Sequence, residues 1–386
     1  MSSPSEFQRS LNIPLDVNQS FFLFGPRGTG KTSWLKANVK NAIYFDLLKA
    51  KWRNLFLADP GRLEENIPEN FDGWVIIDEV QKAPELLNEV HRLIEEKRYR
   101  FILTGSSARK LRQEGVNLLA GRAYIYNMHP LTAEEMGDAF QLDKYLLHGG
   151  IPAIYNTELS AEEFLANYIE TYLEQEVLQE GLIRQLEPFA RFLESASFSQ
   201  GSTLNMTAVA RDCAVSRKIV TGYFDILKDL LIGYKLQPFT RRAQRRLTMN
   251  PKFYYFDVGV FRYLRPQGPL DSTKELDGPA LETLFLQNLR AINDYHHLGY
   301  SLYYWRTSTG TEVDFVLYGE RGFYAFEIKR SAKITKSDLS GLGAFLKDYP
   351  EAKGYLLYGG THREYHGNIT VLPFIEVIQT LRDFIG

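Results

Sequence analysis

Between residues 20 and 128, short apolar runs alternate with segments whose apolar residues keep a helical spacing. The runs fall at 21–24, 43–46, 74–78, 101–104 and 124–128. Near-continuous apolarity over so few residues predicts strands buried on both faces. The segment 84–97 shows the intervening phase: Leu86, Leu87, Val90, Leu93 and Ile94 share one helical face, with Glu85, Glu89, Glu95 and Glu96 elsewhere. Strand and helix in alternation predict an α/β fold, a parallel sheet with helices on both sides. From 130 to 264 the pattern turns mainly helical, with a hairpin-like stretch near its end. Gly268-Pro269 and Gly278-Pro279 bracket a polar stretch, the expected boundary of a last block. That block reads as a helix at 280–293 and strands at 303–306, 313–318 and 324–328. The expected domains are 1–150, 151–265 and 278–386, the last of α/β type.

A chain of 386 residues suits two or three such domains. With 44% hydrophobic and 24% charged residues, the composition excludes disordered and fibrous classes. The net charge of −2 argues against a generally basic nucleic-acid coat and leaves room for local basic patches. The single cysteine, Cys213, has no partner for an internal disulfide or a cysteine metal cluster, which fits a reducing cytosol. The first residues lack a basic segment followed by an apolar core, and no apolar run approaches the ~20 residues that span a bilayer. The expectation is a cytoplasmic protein without membrane attachment.

Chemistry enters directly behind the first strand. Gly25, Pro26, Arg27, Gly28, Thr29, Gly30, Lys31 and Thr32 spell a complete GxxxxGK[ST] phosphate loop, with a helix expected to open at Lys31. Glycines let consecutive backbone N–H groups converge on phosphate oxygens, and the helix N-terminus adds a favourable field. Lys31 would neutralise the β- and γ-phosphates of ATP, and the Thr32 hydroxyl would hold Mg²⁺. The strand at 74–78 ends in Asp78-Glu79. Asp78 would support the Mg²⁺ shell and Glu79 would orient or deprotonate the attacking water. The run at 101–104 ends in small polar residues, of which Ser106 is placed to reach the γ-phosphate or the water.

These residues resemble the AAA-type P-loop ATPases. More narrowly, GPRGTGKT at 25–32, IIDEVQ at 76–81, LTGSSARKL at 103–111, LAGR at 119–122 and HPL at 129–131 resemble a widespread prokaryotic family that carries a C-terminal nuclease-like domain. The resemblance implies that Arg122 is an arginine finger or sensor for the γ-phosphate. If it acts across a subunit boundary, the working unit is a homo-oligomer.

In the middle region, 206–213 reads as a short helix, 214–215 as a turn and 216–231 as a longer helix, with Ser216 capping it. Its expected apolar face is Ile219, Val220, Phe224, Leu227 and Leu231, leaving Arg217, Lys218 and Thr221 outward. This resembles a helix-turn-helix reader, whose second helix enters the major groove by its first residues. Segments 232–239 and 252–256 form a hairpin candidate around Arg241, Arg242, Arg245 and Arg246, a winged-helix arrangement suited to phosphate contacts with duplex or branched DNA.

The last block supplies Glu282, Asp314 and the triplet Glu327-Ile328-Lys329. Pairing of 313–318 with 324–328 would set Asp314 beside Glu327 and Lys329, which share a face by period-two alternation. Asp314 and Glu327 would hold a second Mg²⁺, Lys329 would position water, and Glu282 would add a carboxylate. The set resembles the PD-(D/E)xK nuclease superfamily over about residues 278–360. Two functions follow as expectations. One is an ATP-hydrolysing protein that binds or processes DNA. The other is a regulatory ATPase switch that binds a protein partner and keeps the nuclease fold as scaffold.

Overall fold

The computed structural model describes residues 7–107, 123–179, 183, 185–243, 245–268 and 273–386. Contacts divide the chain into two units, one of residues 9–129 with 229–231 and one of residues 1–8, 130–228 and 232–386.

In the first unit, β1 (Ser20–Phe24), β2 (Ala42–Asp46), β3 (Trp74–Asp78), β4 (Arg100–Gly105) and β5 (Ala123–Asn127) form a parallel sheet in the order β2-β3-β4-β1-β5. These are the five expected strands. Inward side chains of β1, β3 and β4 (Phe22, Phe24, Val75, Ile77, Phe101 and Leu103) pack with Leu86, Leu87, Val90 and Leu93 of the helix Leu86–Lys97. That helix carries its apolar stripe at the spacing that buries one face. The topology matters for function. Because β4 lies between β1 and β3, the end of β4 sits between the phosphate loop that follows β1 and the acids that end β3. Ligand sites of open parallel sheets form at such a switch in strand order.

The second unit holds an eight-stranded sheet ordered β12-β13-β11-β10-β9-β8-β6-β7. Here β6 is Gly233–Pro238, β7 Lys252–Tyr255, β8 Ser301–Arg306, β9 Glu312–Gly319, β10 Gly322–Lys329 and β11 Lys353–Tyr358, with β12 (Glu364–His366) and β13 (Ile369–Pro373) at the far edge. The hairpin β6–β7 forms as expected, but β6 also runs parallel to β8 through Gln237–Tyr303 and Pro238–Tyr304. The middle region and the last block therefore share one sheet. Its core on one face gathers Phe239, Trp305, Val313, Val316, Ala325, Leu342 and Phe345.

Two expectations are corrected. The helix read at 280–293 runs Thr273–Tyr295, with Pro279 inside it. Gly278-Pro279 reads as a breaker because proline forfeits one backbone bond; here the chain continues as helix past it, and the Thr283 hydroxyl donates to the Pro279 carbonyl at 2.6 Å. In the helix Arg217–Asp229, Val220, Phe224 and Leu227 are buried as expected, whereas Ile219 is 44% exposed and Ile226 takes its place inside.

Candidate functional site

The phosphate loop is held from below and behind. Gly25 lies so close to the neighbouring backbone that a Cβ there would meet the Met128 carbonyl oxygen at 2.4 Å. Gly30 precedes the helix Lys31–Asn38 with φ 93°, a left-handed conformation that glycine adopts without strain. Thr29 donates its hydroxyl to the Pro26 carbonyl at 2.8 Å, closing the turn. Arg9 ties the loop to the end of β5 by donating to the Thr29 and His129 carbonyls, each at 2.6 Å. The Lys31 ammonium is buried and donates to the Gly25 and Pro26 carbonyls at 2.7 and 3.2 Å. Burial lowers its pKa, opposed by the negative charges of Glu79 and Asp78. A buried ammonium satisfied by loop carbonyls lies ready for stronger, anionic acceptors. Arg27 is exposed on the same loop.

At the end of β3 the acids are organised by neighbours. Asp78 is buried; its Oδ2 accepts from the Thr32 hydroxyl at 3.0 Å and from the Tyr44 hydroxyl, and its Oδ1 accepts from the Thr104 hydroxyl. Burial and the Asp78 hydrogen bond push the Tyr44 phenol upward, so it remains a donor. Glu79 stands at φ 59°, ψ 49°, a conformation that costs a side-chain-bearing residue of order 1 kcal/mol or more. Its backbone N–H donates to Thr104 Oγ1 at 3.1 Å, which holds that geometry. Its Oε2 accepts from Ser106 Oγ at 3.2 Å and from Gln81 Nε2, and Gln81 also donates to Ser106 Oγ at 3.1 Å. The structure thus brings together Lys31, Thr32, Asp78, Glu79 and Ser106. Tyr44, Thr104, Gln81 and Arg9 complete the arrangement. Of these, Gln81 lay within the motif at 76–81 without an assigned role, and no local pattern marks Tyr44 or Arg9. Arg122 lies outside the described residues.

Thr32 and Asp78 offer a hydroxyl and a carboxylate 3.0 Å apart at the mouth of the phosphate loop. Hard oxygens of this kind suit Mg²⁺.

In the second unit, β9 and β10 pair antiparallel from Gly319–Gly322 to Phe315–Phe326, and the register continues to set Asp314 opposite Glu327. Asp314 Oδ2 accepts the Ile328 N–H at 2.9 Å, and Lys329 Nζ lies 2.8 Å from Glu327 Oε1. Burial and the Asp314 charge raise the Glu327 pKa well above the usual carboxylate range, against the pull of Lys329. Glu282 projects from the helix Thr273–Tyr295 and accepts from the Tyr254 hydroxyl at 2.8 Å. Burial and Asp314 push it up to about 7. The four expected residues therefore meet. The unforeseen member is Lys252 of β7, whose ammonium lies 3.7 Å from Glu282, 3.5 Å from Asp314 and in contact with Glu312.

Of the basic residues expected to face DNA, Arg217 and Lys218 are exposed at the start of their helix. Arg242 and Arg246 are exposed in the β6–β7 connection. Arg241 and Arg245 are engaged within the unit: Arg241 stacks over the Tyr318 ring at 4.7 Å, and Arg245 pairs with Asp348 at 2.7 Å.

Comparison with known proteins places three consecutive matches on the chain. Residues 17–137 match the AAA domain, and residues 139–271 and 277–377 match two domains of unknown function, DUF8612 and DUF4143. An uncharacterized protein of Mycobacterium tuberculosis is 28% identical over 369 residues, covering 93% of this chain and 80% of its own length. One from Haemophilus influenzae is 22% identical over 219 residues, covering 52% of this chain and 55% of its own. The ORC2 protein of Aeropyrum pernix in its ADP form covers 56% of this chain and 81% of its own at 13% identity and a TM-score of 0.31, too loose a superposition to argue from. Among the described residues no helix is long and apolar enough to cross a membrane. Residues 17–137 thus resemble an AAA-type P-loop ATPase domain in their family match, their strand order and their phosphate loop.

Proposed function

We propose that this protein hydrolyses ATP with Mg²⁺ and uses the cycle to engage DNA through its second unit. The observation that carries the reading is the joined set at the strand ends: Lys31 on the loop, Thr32 bonded to Asp78, and Glu79 bonded to Ser106 and Gln81. Lys31 exchanges its carbonyl partners for phosphate oxygens. Thr32 and Asp78 would hold the ion, which would supply neutralisation of phosphate charge. Glu79 orients the attacking water and takes its proton, while Ser106 and Gln81 fix the carboxylate. Arg122 serves as the arginine finger or sensor for the γ-phosphate, and if it acts across a subunit boundary the working unit is a homo-oligomer. DNA phosphates meet Arg217 and Lys218 at the head of a helix and Arg242 and Arg246 beside the hairpin, a winged-helix use of the middle region. The buried thiol of Cys213 suits a reducing, cytoplasmic setting.

A second reading, a regulatory ATPase switch that recruits a protein and keeps the nuclease-like fold as scaffold, is favoured by one observation. Lys252 already fills the acidic cluster with positive charge. The experiment that separates the two measures ATP turnover on single-stranded, duplex, forked and four-way DNA at increasing salt. Turnover stimulated by DNA and falling steeply with salt supports the first reading. Turnover indifferent to every DNA form removes it and leaves the switch.

A further inference from the structure

The resemblance of the last block to metal-dependent nucleases implies a divalent ion among Glu282, Asp314 and Glu327. The side chains present do not fit one. Lys252 is 1% exposed, and its ammonium stands among Glu282, Glu312 and Asp314, touching the Glu312 carboxylate. A divalent ion binds several oxygens at about 2.0–2.6 Å and would share that space with a like charge. Glu327 Oε2 is buried without a hydrogen-bond partner, but the other oxygens facing the cluster are committed. Asp314 Oδ2 accepts the Ile328 N–H at 2.9 Å, Glu282 Oε2 accepts the Tyr254 hydroxyl at 2.8 Å, and Glu327 Oε1 faces Lys329 at 2.8 Å. Glu312 Oε2 pairs with Arg306 at 2.9 Å, so a second cation borders the cluster. Among the described residues no group of three or more His, Cys, Asp or Glu side chains is arranged to hold a metal ion.

The ammonium is held firmly. Burial works against its charge, yet Tyr254, Glu282, Asp314 and Glu312 together raise the Lys252 pKa well above that of a free lysine. Lys252 belongs to β7, Glu282 to the helix Thr273–Tyr295, and Glu312 and Asp314 to β9. The ion cluster therefore joins the hairpin of the middle region to the two elements that bear the nuclease-like carboxylates.

We infer that Lys252 is the built-in cation of this cluster: its ammonium stands where a nuclease would hold a divalent ion, and the cluster binds such an ion only once the lysine is removed. The inference is independent of ATP hydrolysis, because none of its residues belongs to the phosphate-loop unit.

The test is a Mn²⁺ titration of nucleotide-free, full-length protein, read by loss of the free-ion electron paramagnetic resonance signal. All samples carry Asp78→Asn, so an ion retained by the protein is not held at the phosphate loop. The comparison covers that background alone and with Lys252→Met, Lys252→Met plus Asp314→Asn, and Asp314→Asn. Retention should be absent with Lys252 present, appear with Lys252→Met at least about tenfold more tightly, and vanish again when Asp314→Asn is added. Thermal unfolding should follow the same pattern, with Mg²⁺ raising the midpoint of the Lys252→Met protein alone. An ion retained with Lys252 in place and released by Asp314→Asn would overturn the inference, and this pair decides the matter if Lys252→Met does not fold. A folded Lys252→Met protein that gains no Mn²⁺ would overturn it equally.

Discussion

Replacing Glu79 by Gln is the sharpest probe of the ATPase site, because it removes a charge and leaves the shape. The Glu79 carboxylate accepts from Ser106 Oγ at 3.2 Å and from Gln81 Nε2, and its backbone N–H is held by Thr104 at 3.1 Å. A glutamine keeps the backbone bond and one oxygen acceptor for Ser106, so the φ of 59° at this position persists. What it loses is the capacity to take a proton from water. General-base catalysis contributes about 10²–10⁴ in rate, or about 3–5 kcal/mol of barrier. Because one oxygen, Oε2, accepts from both Ser106 and Gln81, an amide oxygen turned to that side keeps both bonds, and the ground state changes by less than about 1 kcal/mol. Turnover should therefore fall by about 10²–10⁴ while nucleotide affinity changes by less than about tenfold. Steady-state phosphate release gives the first quantity, and titration with a fluorescent ATP analogue in Mg²⁺ gives the second. Turnover within tenfold of wild type, with binding unchanged, would refute Glu79 as the base and shift the role to another group.

Other outcomes follow from the same geometry. Lys31→Ala should abolish nucleotide binding in the fluorescence titration; retained micromolar binding would mean the loop grips the triphosphate without its ammonium. Tyr44→Phe removes one of the three hydroxyls on Asp78 and should weaken Mg²⁺-nucleotide binding by about 1 kcal/mol, checked by calorimetry with and without the ion. Arg217→Ala with Lys218→Ala should lower affinity for every DNA sequence alike and flatten its dependence on salt, read by fluorescence anisotropy. Glu282 binds its proton more tightly in the folded protein, with a pKa of about 7 against 4.5 unfolded. Its contribution to stability is therefore fully present below the unfolded value and lost as pH rises through 7. Glu282→Gln should flatten that loss in denaturant unfolding measured from pH 5 to 8; an unchanged slope would assign the titration elsewhere.

What the sequence made legible was local. The five strands of the first unit each declare themselves in a short, mainly apolar run, and the phosphate loop and Asp78-Glu79 sit at strand ends, where a short string of letters carries both position and chemistry. The pairing of β9 with β10 was legible for the same reason, since Gly319–Gly322 makes a short connection between alternating runs. What stayed hidden depends on distance along the chain. Lys252 reads as the first residue of an apolar strand and becomes the cation of a cluster only when β7 comes to lie beside residues 282–314. Tyr44 looks like one more aromatic in β2, and its bond to Asp78 exists because β2 and β3 are parallel neighbours. The parallel contact of Gln237 with Tyr303 leaves no trace in either segment. Gly278-Pro279 misled because local propensity favours a break, and the buried packing of Leu281, Leu284, Phe285 and Leu289 outweighs one missing backbone bond.

The shared sheet has a practical consequence for anyone dissecting this protein. A cut in the polar stretch before the helix Thr273–Tyr295 would strip β6 and β7 from β8, baring a row of unpaired amides and carbonyls along that edge. The same cut would leave Glu282, Glu312 and Asp314 without the lysine that compensates them. The excised piece should come out of cells as insoluble material, whereas a fragment beginning at 130 would keep the sheet whole and its ionic knot tied.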